Sequence, residues 1–484
     1  MGPRHYFQTA TIITTKKLMT NNLIFKTVRE LSALIADKSI SPVEVTKTFL
    51  DRLEELHPTF NSVVTITKKT ALEHAHVLER EILQGKNRGI LHGIPYGAKD
   101  LLATKNNIPT TWGAYCFKDR CFDYEATVIA KLERQGAVLV AKLAMIELAG
   151  GMGYNQPNAS FTGPCRNPWS LDAWSGGSSS GSGSAVGAGL VPFAIGSETW
   201  GSILSPANNC GVTGLRPTYG RVSRYGAMPL SWTLDKLGPL ALSADDCGLI
   251  LQAVSGPDPN DENTQLSKYE YVEQEPPKGK LAIIKGVADE ADSEVRENFY
   301  QSVSKLEKWF DCEEIEVPDM PYHETTRIIM MAESASVFEN FTEQGLANTL
   351  TAPEDKYGPY ARTVVLAKDY IKALRIRRVM ARNINDIMNN FDGFIAPTRN
   401  SAATGITEEF RGLTKGSGKD TMGAIGNVLG LPAISIPNGF TSQKLPTAIQ
   451  IMGTINSENI LLSIANKYQN SSPWHKIHPE NLSA

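Results

Sequence analysis

The stretch Gly176-Gly177-Ser178-Ser179-Ser180-Gly181-Ser182-Gly183 concentrates hydroxyl groups on a pliable backbone, and four readings of it compete. As a plain Gly/Ser loop it would only connect. A phosphate cradle needs Gly-x-x-x-x-Gly-Lys-Ser/Thr, and the tract has no lysine; Gly181, Gly183 and Gly187 miss the dinucleotide spacing by one residue. Gly177-Ser178-Ser179-Ser180-Gly181 matches a nucleophile elbow centred on Ser179, but an elbow needs a strand running into it and a histidine base later in the chain. Leu171-Asp172-Ala173-Trp174 is a poor strand, and the last two histidines, His475 and His478, sit in a polar tail. The fourth reading depends on context well outside the tract.

Three further blocks supply that context: Gly93-Ile94-Pro95-Tyr96-Gly97-Ala98-Lys99-Asp100, Gly196-Ser197-Glu198-Thr199-Trp200-Gly201-Ser202-Ile203-Leu204-Ser205-Pro206-Ala207, and Cys210-Gly211-Val212-Thr213-Gly214-Leu215-Arg216-Pro217-Thr218-Tyr219-Gly220-Arg221. In order and spacing, these blocks and the Gly/Ser tract resemble the amidase signature family. Ala396-Pro397-Thr398 and Gly430-Leu431-Pro432-Ala433 resemble its later blocks, so the resemblance runs from about residue 27 to Gly453. It implies that Lys99 is the base, Ser178 a bridging serine entered through a cis peptide bond, and Ser202 the nucleophile that accepts the acyl group. Met152, Gly153, Tyr154 and Ser179 are the expected substrate contacts. No metal or cofactor is called for.

The chemistry supports that assignment. A serine hydroxyl attacks a carbonyl only when a neighbour removes its proton, and without a histidine a neutral lysine is the next base. Lysine titrates near 10.4, so holding it half neutral at pH 7 costs about 4 to 5 kcal/mol, which burial supplies by disfavouring the ammonium. The apolar approach from Ile90 to Ala98 predicts such burial for Lys99. An ion pair with Asp100 would raise the lysine pKa, so the Asp100 carboxylate is expected to point elsewhere. Lys142, at the end of its own strand, is expected to reach solvent. A serine between base and nucleophile relays the proton, and the lysine returns it to the leaving amine. Thr199-Trp200-Gly201-Ser202 offers consecutive backbone N–H groups for the oxyanion, with Gly201 free to adopt unusual angles.

The usual family pattern around the nucleophile is Asp-Thr-Gly-Gly-Ser-Ile-Arg; here Glu198, Trp200 and Leu204 depart from it. The family holds stand-alone hydrolases of small-molecule amides, esters or carbamates. It also holds the glutaminase component of an ATP-dependent tRNA amidotransferase, which works with partner subunits. The departures favour a stand-alone amidase. In the glutaminase branch an Arg and an Asp would hold glutamine, and Arg362 and Asp420 are the candidates. Trp112, Tyr115, Met152, Tyr154 and Trp200 are placed to line a large apolar pocket. A non-catalytic binding module would be expected to have lost Lys99, Ser178 or Ser202.

The elements that must position these residues follow from patterning. Ser41-Pro42-Val43-Glu44 is a capping box with proline at the first helical position, and Val45, Phe49, Leu53 and Leu56 continue one buried stripe. Ala126–Gln135 reads as a helix stopped by Gly136, and residues 137–141 as an apolar strand, the rhythm of an α/β sheet. Helical patterning returns over 292–310 and 357–390, strands over 393–396 and 433–436, and 256–280 reads as a surface excursion. The resulting expectation is α/β: a single large α/β/α domain over 26–475, with a mixed central sheet flanked by helices. An extension over 1–25 and a tail over 476–484 complete the chain.

With 484 residues, 41% apolar and 20% charged, and a formal charge of −3, the chain has no basic block to grip nucleic acid. It has no apolar run long enough to span a membrane. Its six scattered cysteines suit a reducing cytoplasm. The expected partner is a small-molecule substrate, and the expected state a monomer or homodimer.

Overall fold

The computed structural model describes residues 23–410 and 420–480. Its centre is one mixed sheet of eleven strands among these residues: β1 (Val63–Ile66), β2 (Pro95–Lys99), β3 (Val138–Leu143), β4 (Phe193–Glu198), β5 (Thr213–Arg216), β6 (Lys236–Ala241), β7 (Lys280–Ile284), β8 (Asp311–Ile315), β9 (Gly393–Pro397), β10 (Ala433–Phe440) and β11 (Pro446–Met452). The spatial order is β1-β3-β2-β4-β6-β5-β10-β11-β9-β7-β8. β2 runs parallel to both β3 and β4, whereas β4–β6, β6–β5, β5–β10 and β10–β11 are antiparallel. This is the expected α/β/α architecture.

Strand alternation explains the layers, because successive side chains leave opposite faces of a sheet. Along β4, Phe193 and Ile195 enter one core and Ala194 the other; along β10, Ile434 and Ile436 oppose Ala433. The first core is covered by helices such as Thr127–Arg134, Ala244–Val254 and Glu458–Asn470. The second is covered by Lys68–Leu83, Ser180–Gly187, Ala367–Met388 and Thr421–Leu429. Both faces being covered, the central strands are apolar throughout instead of alternating with polar residues.

The capping box forms as read: the Glu44 amide donates to Ser41 Oγ at 3.1 Å and the Ser41 amide to Glu44 Oε2 at 2.9 Å, opening the helix Pro42–Phe60. The 357–390 pattern divides into two helices, Pro353–Arg362 and Ala367–Met388. The break falls at Thr363-Val364-Val365, three β-branched residues that crowd a helical turn. The excursion near 256–280 carries no helix or strand before β7, yet Tyr269 and Tyr271 pack onto the first core. Leu23 also packs into that core, and the Phe25 ring stacks on His478, so the two ends of the described chain meet. The rest of the expected extension, 1–22, and the tail beyond 480 lie outside the described residues.

The fold places two strand ends side by side. Parallel pairing of β2 with β4 brings Lys99, the last residue of β2, beside Ser197 and Glu198, the last of β4. Ligands in α/β sheets gather at such carboxyl ends.

Candidate active site

Lys99 is fully buried, and its Nζ touches three hydroxyls: Ser178 Oγ at 2.7 Å, Ser197 Oγ at 2.9 Å and Ser179 Oγ at 3.0 Å. Burial pulls its pKa down to about 7, against the opposing fields of Asp235 and Glu198. None of its bonded partners is an anion. A neutral amine has two N–H donors and one lone pair, so it can donate to two of these hydroxyls and accept from the third. Ser179 must be a recipient, because its own proton is committed to the Ser197 carbonyl at 3.1 Å while it also accepts the Ser197 amide at 3.2 Å. The lone pair is thereby left for Ser178 or Ser197.

Ser179, expected as a substrate contact and weighed as an elbow nucleophile, is instead a fully buried brace of the lysine. No strand runs into it; Trp174 and Ala173 form only isolated bridges, with Arg166 and Gly405. Ser178 follows a cis Gly177–Ser178 peptide bond. Ser202 lies next to this cluster, its carbonyl accepting the Ser179 amide at 3.2 Å. Ser197 was missed by sequence reading; its one legible signal was its place at the end of the strand adjacent to β2.

The Asp100 carboxylate does point away from Lys99, taking the Thr111 amide at 3.0 Å on one oxygen and Lys142 Nζ at 3.0 Å on the other. That contact corrects the reading of Lys142. It does not reach solvent but is fully buried, held also by the Leu102 carbonyl and Thr110 Oγ1.

The turn after β4 is braced from inside. Glu198 Oε2 accepts the amides of Ile203 at 2.9 Å and Leu204 at 3.1 Å, while Arg216 Nη1 holds its other oxygen at 2.8 Å. Burial pushes the Glu198 carboxyl up, but Arg216, Lys236 and these hydrogen bonds outweigh it and keep the group below its ordinary value. Thr199 Oγ1 donates to Asp235 at 2.5 Å. Gly201 has φ +80°, a left-handed angle that favours glycine. Among the described residues, the N–H groups of Thr199, Trp200, Gly201 and Ser202 have no acceptor.

Gly177 and Gly201, the residues immediately before Ser178 and Ser202, open on a cavity of about 590 Å³. Its walls correct the expectation of an apolar pocket. Tyr154 and Trp200 line it, but so do Arg327, Arg362, Arg399, His323 and Asp420. Trp112 instead stacks under Arg120, Tyr115 is largely exposed on the surface, and Met152 is buried in the core. Gly153 lies against Arg362, whose Nη2 would be 3.6 Å from a Cβ at that position. Arg362 is itself held by Ser334 Oγ at 2.9 Å.

The helix that carries Arg362 is stitched to the loop carrying Met152 and Tyr154. Glu147 accepts the Thr351 and Ala352 amides at 2.9 and 3.0 Å. Gly358 passes so close to the Met152 carbonyl that a Cβ there would sit 1.7 Å from the oxygen. Asp420, on the same cavity, caps the helix Thr421–Leu429 by accepting the Gly423 amide at 2.8 Å.

A family model described as Amidase matches residues 44–462. The chain belongs to the amidase signature family. Among curated relatives, the glutamyl-tRNA(Gln) amidotransferase A-subunit of Coxiella burnetii is 34% identical, covering 94% of this chain and 99% of the relative; that of Cyanothece sp. is 32% identical at the same coverage. Among solved structures, the peptide amidase of Stenotrophomonas maltophilia superposes with a TM-score of 0.82 at 27% identity, covering 92% of this chain and 97% of that one. The amidotransferase A-subunit of Thermotoga maritima gives 0.77 at 27%, covering 93% and 95%. A bacterial aryl acylamidase, at 22% identity and TM-score 0.85, shares the fold. As an amidase signature enzyme the chain cleaves carbon–nitrogen bonds. Among the described residues no cluster of His, Cys, Asp or Glu could hold a metal ion, and no helix is long and apolar enough to cross a membrane.

Proposed function

We propose that this chain is the glutaminase component of a tRNA-dependent amidotransferase, releasing ammonia from the side-chain amide of glutamine. The observation that carries this reading is the presence of Arg362 and Asp420 in one cavity with the Trp200-Gly201 turn. A guanidinium and a carboxylate lining one cavity match the α-carboxylate and α-ammonium of a free amino acid, charges that a neutral aryl amide or ester lacks. The curated relatives over the whole chain support the same branch, against the stand-alone preference drawn from Trp200 and Leu204. Charged tRNA and ATP then fall to partner subunits.

In this mechanism neutral Lys99 takes the Ser178 proton as Ser178 takes that of Ser202, whose Oγ attacks the carboxamide carbon. The N–H groups from Thr199 to Ser202 receive the oxyanion. The Lys99 ammonium, lacking a bonded anion, returns its proton through Ser178 to the departing nitrogen, and ammonia leaves a glutamyl ester on Ser202. Water, deprotonated along the same path, hydrolyses that ester and frees glutamate.

The test compares ammonia release from glutamine, by the chain alone and with its partner subunits, against turnover of aryl amides, esters and carbamates. Glutamine hydrolysis enhanced by partners is expected, with a fluorophosphonate probe labelling Ser202. Turnover of aryl amides without glutamine hydrolysis in either setting would restore the stand-alone amidase, and labelling at Ser179 would overturn the mechanism.

A further inference from the structure

Trp200 stands where the family pattern carries glycine, two residues before Ser202, so its side chain is additional material at the nucleophile's turn. It is neither surface decoration nor simple core. The indole lines the cavity, and its Nε1–H donates to Asp420 Oδ2 at 3.1 Å. Its ring lies 5.5 Å from that of His323, tilted by 50°, and packs along the second core. Backbone, imidazole and carboxylate together fix the indole plane.

The contact also fixes Asp420. One of its oxygens is tied to the helix cap at Gly423 and the other to the indole, so the carboxylate cannot rotate without losing a bond. A carboxylate has about four acceptor positions, and among the described residues two are left for a ligand.

We infer that Trp200 is a specificity-determining residue that sets the span between the reacting carbonyl at Ser202 and the substrate ammonium at Asp420. This rests on the glutaminase reading. The turn that carries Ser202 also carries the indole that holds Asp420, so the two ends of the substrate are gauged by one rigid piece of backbone. The consequence is selection by chain length. Glutamine and asparagine differ by one methylene, a difference that pockets discriminate by roughly 10- to 200-fold. Among the described residues, a glycine at position 200 would leave the Asp420 carboxylate with its cap hydrogen bond alone.

The experiment is steady-state ammonia release from glutamine and from asparagine by the chain assembled with its partner subunits, for the unaltered protein, Trp200→Phe and Trp200→Gly. Trp200→Phe keeps a ring but loses the N–H. It is expected to raise KM for glutamine about tenfold with a much smaller change in kcat, and to lower the preference for glutamine over asparagine; Trp200→Gly should lower that preference further. Labelling of Ser202 by a fluorophosphonate shows that each variant has folded. An unchanged KM and preference in Trp200→Phe overturns the inference, as does a fall in kcat at constant KM, which would place the residue's effect on the oxyanion turn instead. If the unaltered protein turns over aryl amides but not glutamine, the glutaminase reading itself fails, and this inference with it.

Discussion

The lysine cluster and the adjoining cavity share one molecule but are built by opposite rules. Around Lys99 every partner is a neutral hydroxyl, the base is wholly buried, and the supporting backbone is the ends of two adjacent parallel strands. Around the cavity charged side chains such as Arg327, Arg362, Arg399 and Asp420 stand among aromatic and Met residues, most of them borne by helices and loops. A base must lose its charge to work and so is kept from anions. A recognition site must keep its charges and so is left polar.

Breaking the neutral half should have the largest effect. Lys99→Ala is expected to lower kcat by about 10³- to 10⁵-fold with little change in KM, as for members of other catalytic relays. In the unaltered protein kcat/KM should rise with pH through about 7, since in the proposed mechanism Lys99 works only after losing its proton and its pKa lies there. A flat profile from pH 6 to 9 would show that some other group is the base.

Breaking the ionic half should leave the chemistry and lose the substrate. Arg362→Met removes a hydrogen-bonded cation worth about 2 kcal/mol, so KM for glutamine should rise roughly 30-fold while fluorophosphonate labelling of Ser202 persists. Equal loss of labelling would merge the two regions into one. The smallest effect tests how the cavity is held. Gly358→Ala forces the helix Pro353–Arg362 away from the Met152 carbonyl, so KM should rise several-fold at nearly constant kcat.

The same contrast explains what could be read in advance. Lys99, Ser178 and Ser202 lie in dense blocks in which backbone and side-chain requirements coincide, and burial of Lys99 followed from the apolar run before it. The capping box at Ser41 and the strand read over 137–141, found at 138–143, were legible because their signals are local. Tyr154, Trp200, Arg362 and Asp420 were each named from the sequence, but not that they share one polar cavity, since they come from four distant segments and meet only after the sheet forms. Lys142 was misread because a strand-end lysine looks solvated until a buried carboxylate is known to face it. Ser197 went unseen because nothing in the sequence shows that the end of β4 lies beside Lys99.

One feature of the sheet reaches into how the protein is made. β5 lies between β6 and β10, and Arg216 at its end gives a hydrogen bond to Leu431, 215 residues further along. During synthesis the β5 edge therefore stays open until β10 leaves the ribosome. An unpaired edge of this kind invites pairing with other chains, and contacts so distant in sequence form slowly. The brace behind Ser202 is thus completed only near the end of translation. Chains truncated before Ala433 lack β10, leave the β5 edge open and should not remain soluble without chaperones.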